Sequence, residues 1–163
     1  MKIIIIFFYV LLLSACATSY QRVGFSGGFD ELQLDDNMWR VTFRGNGYTS
    51  RQRTSDFALL RCAELTLKKG FKYFVLVTGN TSTSTSAHTT PTQSFVSGNT
   101  ITTTGGSTYL ISKPSTSNTI LMLKEKPKTF VYNAKFIVKS IRAAYDIEPE
   151  VKPRTKAKSE KDG

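Results

Sequence analysis

The chain has 163 residues, with 22 Lys and Arg against 12 Asp and Glu, a formal charge of +10 and 40% apolar residues, enough for one domain with a core. Two Cys and one His exclude a disulfide scaffold, a four-ligand zinc site built from those residues and a His-rich metal centre. No apolar run approaches the ~18–20 residues that a membrane-crossing helix requires.

Met1-Lys2 opens the chain with a positive charge, and the eleven residues Ile3 to Leu13 that follow are all apolar. As a helix this run spans about 17 Å at 1.5 Å per residue, against about 30 Å of hydrocarbon. Residues 1–15 therefore read as a secretory signal rather than an anchor. Leu13-Ser14-Ala15-Cys16 closes the run and resembles the bacterial lipobox. The resemblance implies cleavage before Cys16, diacylglycerol on its thiol and acylation of the new N-terminus. Acyl chains stabilise membrane attachment by about 0.8 kcal/mol per buried methylene, so several chains on one residue form a durable anchor. Ala17, and not Asp, follows Cys16, which in lipoproteins of enterobacterial type resembles the default of export to the outer membrane; a body facing the periplasm is the default orientation and surface exposure the alternative.

Residues 16–37 read as a lipidated tether: Ser19, Gly24, Ser26, Gly27 and Gly28 are loop formers, and Tyr20, Val23, Phe25 and Phe29 are spaced to dock on the body. Trp39 to Arg44 alternates apolar and polar residues and predicts a half-buried strand. Thr49, Ser50 and Thr54 offer N-cap hydroxyls for a helix to about Lys69, with Gly70 at its C-terminal stop. Phe57, Ala58, Leu60, Cys62, Ala63 and Leu65 mark that helix as largely buried, leaving a polar stripe of Arg61, Glu64 and Lys68 with an i,i+4 Glu64–Lys68 pair. Phe71 to Val77 is the strongest strand pattern and completes a strand–helix–strand crossover.

Residues 78–108 are dominated by Thr and Ser and read as an unpaired loop; a long hairpin through Phe95-Val96 and Ile101 is the alternative. Tyr109–Ile111 and Thr119–Lys124 read as two strands of a hairpin turned at Pro114 to Asn118. Asn133 caps a helix to Tyr145, with Phe136, Ile137, Ile141, Ala144 and Tyr145 on its apolar face and Lys135, Lys139 and Arg142 opposite. Residues 148–163 read as a disordered basic tail. The sum is an α+β fold: one small domain over residues 38–147, with a sheet of about four strands and two helices on one face.

Three segments carry a family likeness: Phe43 to Thr49, Ala58 to Phe74, and Lys113-Pro114 with Ser117 to Ile120. Together they resemble a family of small proteobacterial lipoproteins of uncharacterised function. The resemblance implies membrane anchorage through Cys16 and brings no catalytic residue, metal or cofactor with it.

The residues supply few reactive groups. Cys62 lies on the apolar helix without a visible base and reads as a small hydrophobe; His88 lies in the Thr/Ser stretch and reads as solvated. Gly45-Asn46-Gly47, between a strand end and a helix start and flanked by Arg44, Arg51 and Arg53, has the ingredients of an anion nest. The alternative is a tight turn needing glycine torsions. Lys135, Lys139 and Arg142 form a second basic contact candidate. Export removes nucleic acid as a partner for the positive charge and leaves anionic envelope components or envelope proteins; the alternative is a basic surface kept for solubility with no single partner. No catalytic residue, metal ligand or cofactor is assigned. The chain reads as a membrane-anchored binding or scaffolding module; the alternative is a small periplasmic hydrolase or transferase.

Overall fold

The computed structural model describes residues 17–148. The expected signal segment, the expected lipidation site at Cys16 and the expected tail beyond Glu148 lie outside the described residues. In chain order the elements are β1 (Gly28–Asp35), β2 (Met38–Arg44), α1 (Arg51–Lys68), β3 (Tyr73–Thr89), β4 (Gln93–Ser97), β5 (Thr100–Thr104), β6 (Thr108–Leu123), β7 (Tyr132–Asn133) and α2 (Ala134–Tyr145). The fold is α+β, with a five-stranded sheet in the order β1-β2-β6-β3-β7 and a separate β4-β5 pair. β2 and β3 are each antiparallel to β6 between them, so they run parallel, one strand apart, across the expected α1 crossover.

The sheet has five strands rather than four. The extra length comes partly from the segment read as a tether, where β1 pairs with β2 from Gly28↔Arg44 to Asp35↔Met38. Only Phe29 among the apolar residues of β1 is buried, so cross-strand pairing and not hydrophobic alternation makes it a strand. The expected hairpin turn at Pro114 to Asn118 is absent: Thr108 to Leu123 is one continuous strand. Pro114 is tolerated there because its carbonyl accepts from Gly45 N (2.8 Å), placing its missing N–H on the same side, just where the β2 ladder stops at Arg44↔Ser115.

Both helices begin and end as their sequences predict. Ser50 Oγ accepts from Arg53 N (3.1 Å) at the start of α1, and Gly70 at φ +81° follows its end. Asn133 Oδ1 accepts from Phe136 N (3.1 Å) to start α2. The apolar face of α2 is rotated from expectation: Phe136 and Ala144 are exposed, while Ala134, Ile137 and Val138 meet the core.

α1 covers one face of the sheet, against Trp39, Val41, Phe74, Ile120 and Met122. A second cluster at the other end is aromatic, with Phe57 edge-on to Phe43 (5.2 Å), Tyr145 (5.0 Å) and Tyr20 (5.4 Å). This cluster fastens the N-terminal segment and the end of α2 to α1.

Candidate functional site

Three places on the molecule combine chemistry with position: a buried charge cluster, the end of the body next to residue 17, and a long β-arm.

The charge cluster centres on Glu64. Its Oε2 accepts from Arg61 Nη1 (3.0 Å) and from the Tyr20 hydroxyl, and its Oε1 accepts from Arg142 Nη2 (2.6 Å) and Nε (3.2 Å). Arg61 Nε donates to Glu31, and the guanidinium lies 4.1 Å from the centre of the Phe29 ring. Arg61 is only 4% exposed, so its charge depends on these two carboxylates. Burial opposes the Arg61 charge, but the hydrogen bond and attraction of Glu31 outweigh it and raise the pKa further. Burial first, then the Glu64 carboxylate, holds the Tyr20 hydroxyl far above the ordinary tyrosine range. A shallow pocket of about 230 Å³ opens beside the cluster, lined by Tyr20, Phe29, Glu64, Arg142, Ile147 and Glu148. Both Glu64 oxygens and the Tyr20 proton are engaged, so the cluster ties β1, α1, α2 and the N-terminal segment together.

The expected surface pairing of Glu64 with Lys68 is replaced by this inward one. Arg142, expected on an exposed basic face, is the cation that holds Glu64, while Lys135 and Lys139 are exposed. The three do not form one contact surface.

The Gly45-Asn46-Gly47 segment is also used internally. Asn46 N donates to Thr18 Oγ1 (2.9 Å), whose own hydroxyl donates to Ser26 O (2.8 Å), and Thr18 N donates to Thr49 Oγ1 (3.0 Å). The anion-nest reading loses this donor to Thr18. Neither glycine has a positive φ; they are required by close approach, since a Cβ at Gly45 would lie 2.8 Å from Thr49 Cβ and one at Gly47 2.8 Å from Ile111 Cγ2. Arg44 and Arg51 do not converge: Arg44 follows buried Phe43 and points to the open face of the sheet, while Arg51 Nε donates to Thr83 Oγ1 (3.0 Å) at the base of the arm.

Thr18 is 1% exposed, so the chain is fixed to the body two residues after Cys16. Around it stand two exposed aromatic residues: Phe25, fully exposed in the Gly24–Gly27 turn, and Tyr48, 75% exposed. Within the described part of the expected tether, Thr18, Tyr20 and Phe29 are fastened to the body and Gly28–Asp35 forms β1, while Val23 and Phe25, expected to dock, are exposed.

The arm is the part of β3 and β6 that leaves the body. β3 and β6 stay paired from Gly79↔Asn118 to Thr89↔Thr108, and β4-β5 extends the ribbon. The reading of residues 78–108 as an unpaired loop is corrected: the hairpin alternative holds. Hydroxyl pairs cross the ribbon at Thr81–Thr116 (3.0 Å), Thr85–Ser112 (3.3 Å) and Thr89–Thr108 (3.0 Å). Phe95, Val96, Ile101, Tyr109 and Leu110 are exposed along it.

Cys62 is fully buried, and burial pushes its thiol up to about 12. Tyr145, whose hydroxyl donates to Asp56 Oδ2 (2.6 Å), is also pushed up to about 12, by burial and then by that carboxylate. His88 lies on the exposed arm, apart from Cys62 in the core. Among the described residues no group of three His, Cys, Asp or Glu is placed to hold a metal ion, and no helix is long and apolar enough to cross a membrane.

Comparison of the chain with protein-family models, with curated proteins and with solved structures finds no match. The functional reading therefore rests on the geometry above. Sequence reasoning missed Tyr20, Glu31, Arg61 and Glu64 as a unit, because their meeting depends on β1 joining the sheet; the signal it held was Arg61 and Glu64, three residues apart on a largely buried helix.

Proposed function

We propose that this chain is a lipid-anchored module of the bacterial envelope, in the outer membrane and facing the periplasm, that binds or scaffolds partners through its β-arm. The observation that carries the reading is the burial of Thr18 two residues after Cys16. Acyl chains on Cys16 would seat the body directly on the bilayer, with Phe25 and Tyr48 at headgroup depth, where aromatic side chains are favoured. Arg22, Arg44 and Arg51, all exposed near this end, suit an anionic headgroup layer. The arm starts from the same end, since Gly45 is bonded both to Pro114 of the arm base and, through its neighbour Asn46, to Thr18. A binding role is favoured over a hydrolase or transferase because the Glu64 carboxylate and the Tyr20 hydroxyl beside the pocket are spent on internal contacts. The likeness to small proteobacterial lipoproteins agrees with the anchor.

Metabolic labelling with a fatty-acid analogue tests the reading. Wild-type chain is expected to carry label and to sediment with outer membranes, and Cys16→Ala to lose both. Equal labelling of the two refutes it.

A further inference from the structure

We propose that the free edge of β3, from Gly79 to Thr89, pairs antiparallel with the same edge of a second copy of this chain, joining two arms into one four-stranded ribbon. The inference rests on the reading of the arm as the contact element and names its partner.

Edge strands are normally guarded by charge, proline or irregularity. Two other free edges of this sheet are guarded in these ways. β1 carries Asp30, Glu31 and Asp35 and an irregular register between Gln33 and Asp35. The arm segment of β6 carries Lys113 and Pro114, and Gly47 closes on its Ile111. β3 carries none of these in its own arm sequence; Arg51 from α1 reaches the Thr83 hydroxyl (3.0 Å), a side-chain contact and not one to the strand's backbone edge. Between Lys72 and Lys113 the chain contains no Lys, Arg, Asp or Glu, and the arm segment of β3 contains no Pro. β7 covers β3 only at Tyr73 and Phe74, and the one irregularity of β3, between Leu76 and Thr78, falls before the arm begins.

The direction of the unpaired groups follows from one bond. Because the Pro114 carbonyl faces β2, the pair Thr83↔Pro114 is a non-hydrogen-bonded pair of the β3–β6 ladder. Alternation then turns the N–H and C=O of Thr81, Thr83, Thr85, Ala87 and Thr89 to the free edge, while those of Ser82, Ser84, Ser86 and His88 serve β6. Thr90 N donates to Ser107 O (2.9 Å), as this alternation requires. Five residues thus hold a regular row of donors and acceptors toward open space, on side chains that carry no charge.

A second copy fits this edge for three reasons. The edge is Thr on one face and Ser on the other over Thr81 to Ser86, so it is complementary to itself when reversed. Antiparallel pairing places the two positively charged bodies at opposite ends of a segment about 37 Å long at 3.4 Å per residue, well beyond the ~8 Å screening length of physiological salt. The local two-fold axis of an antiparallel pair is perpendicular to the ribbon, so both bodies present the same ribbon face to one side. A lone two-stranded ribbon is marginal in water, and doubling it supplies the missing partners.

The test uses the purified full-length chain in detergent, with mass by light scattering over a concentration series and amide exchange by NMR. Thr85→Pro removes one free-edge donor from each copy but no β3–β6 bond; Thr85→Val retains the donor. Wild type and Thr85→Val are expected to show a two-chain mass with slow exchange at Thr81, Thr83 and Ala87. Thr85→Pro is expected to weaken association by about tenfold or more, with exchange at Ser84 and Ser86 unchanged. A single-chain mass for wild type at 100 μM overturns the proposal, as does a two-chain mass that survives Thr85→Pro undiminished. Edge protection that arises only on adding a different envelope protein also overturns it. None of these outcomes touches the acylation test, so the anchored-module reading fails or stands separately.

Discussion

Replacing Glu64 by Gln removes one charge from the centre of the cluster and keeps its shape. In the native protein the Glu64 carboxylate receives two bonds from Arg142, one from Arg61 and one from Tyr20. The amide of Gln retains one oxygen, so one guanidinium keeps a neutral acceptor and the other faces an N–H₂ group. Arg61 is the worse placed, because it is 4% exposed and cannot turn to water. Removing one partner from a buried ion pair costs about 3–5 kcal/mol. Glu31 still compensates part of the Arg61 charge, which puts the expected loss near the lower limit, about 3 kcal/mol. Trp39, the single tryptophan, is 9% exposed beneath Lys69 and reports unfolding by fluorescence. With a urea slope of about 1–3 kcal/mol per molar, the midpoint should fall by about 1–3 M. Arg142→Met should cost less than Glu64→Gln, since Glu64 then keeps Arg61 and Tyr20. A loss below about 0.5 kcal/mol for Glu64→Gln would show that the cluster behaves as an exposed pair and would refute the reasoning.

Leu60→Ala and Phe74→Ala, both at fully buried positions, should each cost about 2–5 kcal/mol in the same urea experiment; a change under 0.5 kcal/mol at both contradicts the core assignment. Stability should fall above about pH 9, because unfolded Cys62 ionises near 8.5 while the folded thiol holds its proton to about 12. Each unit of pH across that window costs about 1.4 kcal/mol. The contribution is intact below pH ~8.5 and lost on the alkaline side. Tyr20 and Tyr145, both raised, add to the fall from about pH 10. Urea midpoints at pH 8, 9 and 10 should decline less steeply in Cys62→Ala, and equal slopes would exclude the thiol as the cause. Excising residues 82–113 and closing the gap with a short turn should change stability by less than about 1 kcal/mol, since the excised part buries almost no apolar surface. A loss of several kcal/mol would show that the arm braces the body.

The elements legible in the sequence were those whose side chains declare their surroundings. α1 announced itself through Ser50, Gly70 and an apolar run, and α2 through Asn133. β2 showed by the alternation of Trp39, Val41 and Phe43, which all point at α1. β1 and the arm were not legible for the same physical reason. Their strand character comes from backbone pairing, and neither buries a regular apolar face. Thr and Ser fit a ribbon that is solvated on both sides as readily as a loop, so composition alone left residues 78–108 open between the two. Pro114 misled because proline usually ends a strand, and only the end of the β2 ladder beside it makes the position harmless. Sequence clustering suggests the basic sites, but Glu64 takes Arg142 and Thr18 takes the Asn46 donor.

The distribution of charge links the two proposals. Every Lys, Arg, Asp and Glu lies outside the stretch between Lys72 and Lys113. Several of the body's cations are committed internally: Arg61 and Arg142 to carboxylates, Arg53 over Phe57 and Tyr145, and Lys69 over Trp39. The surplus that remains is spread over the body and includes the arginines beside residue 17. If Cys16 is acylated as proposed, a body positive at that end is attracted to anionic headgroups, and that attraction weakens as salt rises. The β3 edge of the ribbon carries no charge of its own, so its pairing answers weakly to salt and recognises by backbone geometry. The two contacts therefore answer to different perturbations. Raising salt should loosen the seating of an unacylated chain on anionic vesicles, while leaving arm pairing in place. A parallel loss of both with salt would mean that the arm is held by the body's charge, contrary to the edge argument.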